Sequence, residues 1–441
     1  MAIASAQATR SFTVPWNGGT KTLEIPADRV TAEIKFRDLP ALPDPAGAIL
    51  HALEHPIGCL PLREMVKPGD RVVLMTGDRL TDWMIGARDG LAMPIFDHLN
   101  ELGVRDEDIT VVYACGMHAH PHAKERMGEA LLKRVRFVEH EGDDDSQQVY
   151  IGATSRGTPV WINRAVFEAD VKLAIGEISP VGPAGWCGGG KIILPGVAGR
   201  DTIEHNHRMV ISPLAQLGAI HQNPVRLDIE EAAELADLDI KIDVLVNTVA
   251  QIVAVFAGDF RQEWRAALPL AKEIWTTPME PTDVAVYYPG DTREQYLGGP
   301  VYMGFATAEA MTKPSGAVVV TMSAMGGWSA NSTPNDRYGP GAEMFAASSV
   351  EIARRMVRTD GNVRSLHIAY MGKRALESRP MFLHCDGFSD EEVRRFGFRG
   401  AFNRFEDALA AATEASGSPN GSISVCFPRG LQWRMMPRVP D

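Results

Sequence analysis

Apolar and polar positions along this chain switch repeatedly between two periods. Short apolar runs closed by Gly, Pro or small polar residues read as buried strands, and longer runs with apolar residues three and four apart read as helices. Arg71 to Met75 is such a strand and ends in Thr76-Gly77-Asp78, and Met84 to Leu102 reads as a helix. Ile109 to Ala114 is the next strand, closing on Cys115-Gly116-Met117-His118, and Ala123 to Val135 is the helix after it. Val171 to Ile175 is a third strand and runs into the Gly/Pro loop Pro180 to Gly190. Glu230 to Leu238 reads as a helix, Leu245 to Phe256 as paired strands closed by Ala257-Gly258-Asp259, and Phe260 to Trp275 as a helix. Strand–helix alternation of this kind predicts an α/β fold with largely parallel, doubly wound sheets, whose ligands gather at the carboxyl ends of strands. Asp78, His118 and the Pro180 to Gly190 loop all fall at such ends, so the pattern predicts that they converge on one crevice.

The flanking segments set the domain organisation. Ser11 to Val14 and Lys21 to Ile25 read as short strands of a small N-terminal sheet, linked onward by the Pro-rich stretch Leu39 to Pro45. Thr276 to Thr282 is rich in proline and lacks periodicity, which marks a boundary. Beyond it a second series begins with the strand Val284 to Tyr288, the Gly-rich loop Pro289 to Pro300, the helix Met303 to Met311 and the strand Gly316 to Met322, and it closes with Ser422 to Phe427. The expectation is an N-terminal cofactor-binding α/β domain over 1–277 and a C-terminal α/β domain over 278–441. A cleft lies between them, and the last residues pack back on the first domain.

Composition narrows the function classes. The 441 residues are 45% hydrophobic and 23% charged, ordinary values for a globular chain with a substantial core. A net charge of −12 and the lack of a Lys/Arg-rich tract argue against a nucleic-acid partner. The start, MAIASAQATRSFTVPW, has neither the basic beginning nor the apolar run of a signal peptide, and no apolar run is long enough to span a membrane. A cytoplasmic location without a membrane partner, compatible with a homo-oligomer, is the expectation. The five cysteines are scattered without a CxxC pair, which indicates neither a disulfide framework nor a structural zinc site.

The chemistry concentrates between Val171 and His207. Glycines 185, 188, 189 and 190 surround Cys187 and lead into Lys191. Without a Cβ they let the backbone approach a ligand and point N–H groups at an anion. A plain tight turn with a solvated lysine is the simpler reading of GGGK, and a triphosphate-binding P-loop fits poorly because Ile192 stands where a magnesium-binding hydroxyl is needed. The order of the whole stretch says more: strand, Pro180, Ala184-Gly185-Trp186, Cys187, the glycines, Lys191, Leu194-Pro195-Gly196, Thr202-Ile203, Asn206-His207. It resembles the nickel-dependent lactate racemase family. The resemblance implies a nickel-pincer nucleotide of the pyridinium-3,5-bisthiocarboxylic acid mononucleotide type, covalently tethered to Lys191, with His207 as the nickel ligand. It further implies cofactor contacts from Gly188, Gly189, Gly190 and Asp78, His118 in Gly116-Met117-His118 as general acid/base, a small 2-hydroxy acid as substrate, and cofactor-synthesis enzymes as partners.

The chain departs from the family where substrate would bind. Family members carry a second histidine in a Pro-His pair ten residues before the lysine, and here the pair is Pro180-Val181. Their carboxylate-binding Gln and Lys follow a tyrosine, and after Tyr302 the corresponding positions are Met303 and Ala306; an Asp-x-x-Arg arginine is replaced by Thr81. The implied activity is therefore a racemase or epimerase of a 2-hydroxy acid other than lactate. His205, His120 and Cys187 are candidate substitutes for the absent base, and Arg293, Lys313 and Arg374 are candidates for gripping the substrate carboxylate. Two other readings remain open: a zinc hydrolase built on His118, His120 and His122, which period two would place on one face of a strand, and a non-catalytic cofactor carrier that keeps only the Lys191 site.

Overall fold

The computed structural model describes residues 8–77, 90–118, 123–291, 293–329, 341–358 and 363–438. The chain opens with an antiparallel hairpin, β1 (Thr9–Trp16) and β2 (Gly19–Pro26), then β3 (Val30–Glu33). The first large sheet uses β4 (Val72–Gly77), β5 (Ile109–Ala114) and β6 (Arg136–Glu139). A side hairpin, β7 (Gln148–Ala153) with β8 (Pro159–Asn163), precedes β9 (Val171–Glu177), and a two-residue hairpin, β10 (Pro180–Val181) with β11 (Gly185–Trp186), follows it. Then come β12 (Ile240–Val246) and β13 (Ile252–Gly258). The sheet order is β13-β12-β9-β4-β5-β6, parallel except for the β12–β13 pair.

After β14 (Thr276–Thr277) the second sheet takes β15 (Thr282–Tyr287), β16 (Thr312–Thr321), β17 (Met381–His384), β18 (Gly400–Phe402) and β19 (Ile423–Cys426). Its order is β18-β17-β16-β15-β19-β3, parallel throughout. The chain thus crosses between the two sheets after β3 as well as at 276–281, and the β1–β2 hairpin packs Val14, Leu23 and Ile25 onto Val284, Val286 and Val319 of the second sheet. The final strand, β20 (Met436–Pro437), pairs with β14.

Both sheets are covered on both faces, as parallel sheets require. Along β4, Val72 and Leu74 face one apolar cluster and Val73 and Met75 the other, the period-two alternation of a central strand. The cluster holding Val73, Met75 and Ala174 continues into Ala285, Val318 and Val320, so one apolar core runs through both sheets. The helices expected from Phe260 and Met303 recur with small shifts as Gln262–Trp275 and Gly304–Ala310, whereas the helix expected at Glu230 to Leu238 begins much earlier, at Pro224 behind the Asn223 cap, and ends at Leu235. The strand expected from Leu245 begins instead at Ile240, and all of β12 is buried although Lys241 and Asp243 interrupt its apolar run. The cysteines form no disulfide. No described helix is long and apolar enough to cross a membrane.

Candidate functional site

The carboxyl ends of β4, β5 and β9 close around a small cavity of about 90 Å³, walled by Gly77, His118, Glu177, Cys187, Lys191 and Lys241 among others. Strand order explains the convergence. β4 lies between β5 and β9, with Gly77 paired to Ala114 on one side and Thr76 to Ile175 on the other. The segment after β5 is stitched to the segment after Lys191: the Gly116 N–H donates to the Gly196 carbonyl at 2.8 Å. A Cβ on Gly116, whose φ is +59°, would stand 2.9 Å from the Pro195 carbonyl oxygen. Glycine at 116 is therefore the condition for holding His118 beside Lys191.

The loop before Lys191 turns into the short 3₁₀ helix Gly189–Ile192 and rests on buried charge. Asp243 is fully buried; its Oδ2 accepts the Gly189 N–H at 2.6 Å and its Oδ1 accepts Lys241 Nζ at 2.5 Å. Arg226 donates to the Gly188 carbonyl at 3.0 Å, pairs with Glu230 at 3.1 Å and lies 3.5 Å over the Trp264 ring. Burial, then the neighbouring Asp243 charge, pushes the Glu263 carboxyl well above its usual range, so this acid is held neutral. The glycines are thus demanded largely by what lies beneath them. The Gly189 N–H is spent on Asp243 and is not offered to a ligand, whereas Gly188 lines the cavity. Gly188 has φ +86°, and a Cβ there would come within 2.6 Å of Ile178 Cγ1 and 2.7 Å of Asp243 Oδ2. Gly188→Ala is expected to cost about 2–4 kcal/mol by chemical denaturation, from the left-handed backbone and the overlap together.

His207 sits in the last turn of the helix Arg200–Arg208. Two of the motif residues around it are buried struts: Asn206 donates to the Val225 carbonyl at 3.0 Å and to Asp228 at 2.9 Å, and the Thr202 hydroxyl accepts the Trp161 N–H at 2.9 Å. Among the described residues the His207 Nδ1 is buried without a partner in full hydrogen-bonding geometry, although the Ile203 carbonyl one turn back acts on the ring proton. Its ring is held far below the ordinary imidazole pKa, first by burial and then by the positive potentials of His367, Lys191 and His118. Lys191, His207 and His118 therefore share one electrostatic neighbourhood, in which His207 stays a neutral, lone-pair-bearing imidazole.

His367 is a site residue that the sequence did not reveal. It comes from the helix Val363–Ser378 of the second sheet's half of the molecule, donates Nδ1–H to the Val363 carbonyl at 3.2 Å, and meets the His207 ring edge-on with centroids 4.6 Å apart. Four residues on, Met371 closes over the β10–β11 hairpin, its Cε lying 2.4 Å from where a Gly182 Cβ would stand. Mid-helix histidine carries no periodic signal, and 160 residues separate it from His207. Glu177, Lys241 and Arg434 were missed as well. Charge in an otherwise apolar strand was the available clue for the first two.

The remaining candidates distribute as follows. Val181 is buried in the apolar core. His205 is exposed and bonds the Asp201 carbonyl at 3.2 Å, outside the cavity; Cys187 lines it. Lys313 is tied to Asp283 at 2.9 Å and Arg374 to Glu309 at 3.6 Å, and Arg293 donates to the Gly299 carbonyl at 3.2 Å; none of these three lines the Lys191 cavity. As carboxylate grips for this cleft they are set aside, because each is engaged elsewhere. Asp78, His120 and His122 lie outside the described residues. Among the described residues no group of three or more His, Cys, Asp or Glu is arranged to hold a metal ion.

Comparison with known proteins agrees with this architecture. A family model described as the lactate racemase N-terminal domain matches residues 16–218. The chain is 28% identical over 286 residues to the lactate racemase of Thermoanaerobacterium thermosaccharolyticum, covering 62% of this chain and 64% of that one. It is 28% identical over 281 residues to the lactate racemase of Lactiplantibacillus plantarum, covering 63% and 65%. The match thus spans a little under two thirds of these curated relatives. The structure of the lactate racemase apoprotein from Thermoanaerobacterium thermosaccharolyticum superposes with a TM-score of 0.80 at 22% identity, over 98% of this chain and 100% of that one. A Thermotoga maritima protein superposes with a TM-score of 0.59 at 14% identity, over 88% and 97%. Residues 16–218 are thus similar to the lactate racemase N-terminal domain, and the fold of the whole chain is that of the lactate racemase apoprotein.

Proposed function

We propose that this protein is a racemase or epimerase of a 2-hydroxy acid and that it works on a nickel-pincer nucleotide tethered to Lys191 and ligated by His207. The observation that carries the reading is that Lys191 and His118 line one cavity while the His207 ring, its Nδ1 buried, lies close enough to feel the charge of both. The donor set fits such a group: neutral imidazole suits nickel, and a lysine amine on the cavity wall is a nucleophile of the kind that attacks a thioacid carbonyl. When bound, the cofactor supplies reversible hydride acceptance from the substrate carbon. The chain's own residues do the rest. His118, on the cavity wall, takes and returns the hydroxyl proton, and the helix bearing His367 packs that ring against His207 from the second half of the molecule.

Two features support a substrate other than lactate. Met303 and Ala306, at the family's carboxylate-binding positions, are buried and apolar, and Tyr302 faces His367 edge-on at 6.5 Å. Neither position offers a polar group to a carboxylate. Cofactor-synthesis enzymes are the partners this reading requires.

The test is intact-mass spectrometry with metal analysis of protein co-expressed with the cofactor-synthesis enzymes, followed by assay of both enantiomers of a panel of 2-hydroxy acids. A mass gain on the Lys191 peptide, one nickel per chain and interconversion of at least one panel acid are expected. Zinc in place of nickel, with no adduct, would turn the reading toward hydrolysis. An adduct with nickel but no turnover would leave a cofactor carrier.

A further inference from the structure

We propose that Glu177 is a second proton-transfer residue of the cleft and that Arg434, from the C-terminal segment, positions it. The inference rests on the functional reading above and deepens it. Glu177 is the last residue of β9, 6% exposed, and it lines the Lys191 cavity. Its Oε1 is fully engaged: it accepts Arg434 Nη1 at 2.7 Å and the Ser179 hydroxyl at 3.2 Å, and Arg434 bonds Ser179 as well. Its Oε2 is buried with no hydrogen-bond partner among the described residues. A buried carboxylate oxygen without a donor is costly. A fold tolerates it where an occupant supplies the proton.

Topology gives the position its meaning. Inverting a carbinol carbon presents the hydroxyl to one wall before the reaction and to the other after it, so each wall needs a group that accepts and returns the hydroxyl proton. β5 and β9 flank β4 on opposite sides, so the strand ends that lead to His118 and carry Glu177 stand about 10 Å apart across Gly77, two interstrand spacings. A small hydroxy acid fits between them. For one enantiomer the O–H proton passes to Glu177 Oε2 as the C=O bond forms, and the hydride-accepting cofactor class named above, when bound, would take the carbon's hydrogen with its electron pair. Return of the hydrogen to the other face is matched by protonation from His118, and the opposite enantiomer runs the sequence in reverse. Arg434 and Ser179 fix which oxygen faces the cavity, so Arg434 acts through Glu177.

The experiment uses cofactor-loaded enzyme, with each enantiomer of lactate, 2-hydroxybutyrate, glycerate and mandelate mixed separately and the 2-oxo acid of the first turnover measured by quenched flow. Glu177→Gln is expected to slow that turnover about 100- to 10,000-fold for one enantiomer and to leave the other within about threefold, with His118→Gln giving the mirror pattern. Arg434→Gln slows the same enantiomer as Glu177→Gln, an asymmetry that loss of a purely structural contact does not produce. The Lys191 mass adduct stays unchanged in all three variants. In wild-type enzyme, an infrared difference spectrum should show a carboxyl C=O band on addition of the enantiomer that Glu177 serves, and this measurement needs no variant to fold. Equal losses for both enantiomers, no loss, or no such band overturn the role of Glu177 while leaving the racemase reading in place. If loaded wild type turns over no panel acid, the racemase reading fails and this inference falls with it.

Discussion

Lys191→Arg protein, co-expressed with the cofactor-synthesis enzymes, is expected to carry no mass adduct and to lose at least about 1,000-fold in turnover, roughly 4 kcal/mol of transition-state stabilisation. Arginine keeps the positive charge that acts on His207, but its guanidinium stays protonated and cannot attack a thioacid carbonyl. The substitution therefore separates covalent attachment from local electrostatics. His207→Ala is the informative companion. It should retain the adduct on the Lys191 peptide and lose nickel on dialysis, because tether and ligand are different side chains on different elements, the 3₁₀ turn Gly189–Ile192 and the helix Arg200–Arg208. An adduct surviving in Lys191→Arg would place the attachment elsewhere and dismantle the proposed site.

How far this site was legible in the sequence follows from how each residue signals. The ends of β4, β5 and β9 were readable because buried parallel strands are continuous apolar runs that stop at Gly-rich punctuation. The loop ending at Lys191 stood out because glycines cluster there. What the sequence did not show is that the glycines serve the packing below them: Gly188 against Ile178 and Asp243, and Gly189 against Arg226. That reason lies in β12 and in the helices Pro224–Leu235 and Gln262–Trp275, tens of residues downstream. β12 itself was read too short because Lys241 and Asp243 look like the edge of a loop; they are buried ions that satisfy each other. His367 and Arg434 reach the site only through the packing of the second half of the molecule onto the first, and no local period encodes that. The same holds for β3, whose place at the edge of the second sheet is a matter of topology and not of its four residues.

The largest stability effect should come from the charge cluster under the loop. Asp243→Ala removes the acceptor of both the Lys241 ammonium and the Gly189 N–H, leaving a lysine 1% exposed with no carboxylate at its Nζ. Breaking a buried pair from one side typically costs about 3–5 kcal/mol, which a urea titration would read directly. Glu263 makes the argument sharper. Its folded-state pKa is raised well above the usual value, so at neutral pH the fold binds a proton that the unfolded chain releases, and this costs stability. The sign is fixed: the cost is absent below the unfolded carboxyl pKa of about 4.3 and grows as pH rises toward the folded value. Glu263→Gln, close in shape to the neutral acid, should therefore stabilise the protein at pH 7 and make no difference at pH 4. In the Asp243→Ala background the benefit should shrink or reverse. With the Asp243 charge gone, Lys241 and Arg226 favour an ionised Glu263, which then becomes the only counter-charge Lys241 can recruit from this pair of acids. A double-mutant cycle at pH 7 that gave additive effects would show that the two carboxyls do not share their charge, and the account of the loop resting on a balanced ionic floor would have to be abandoned.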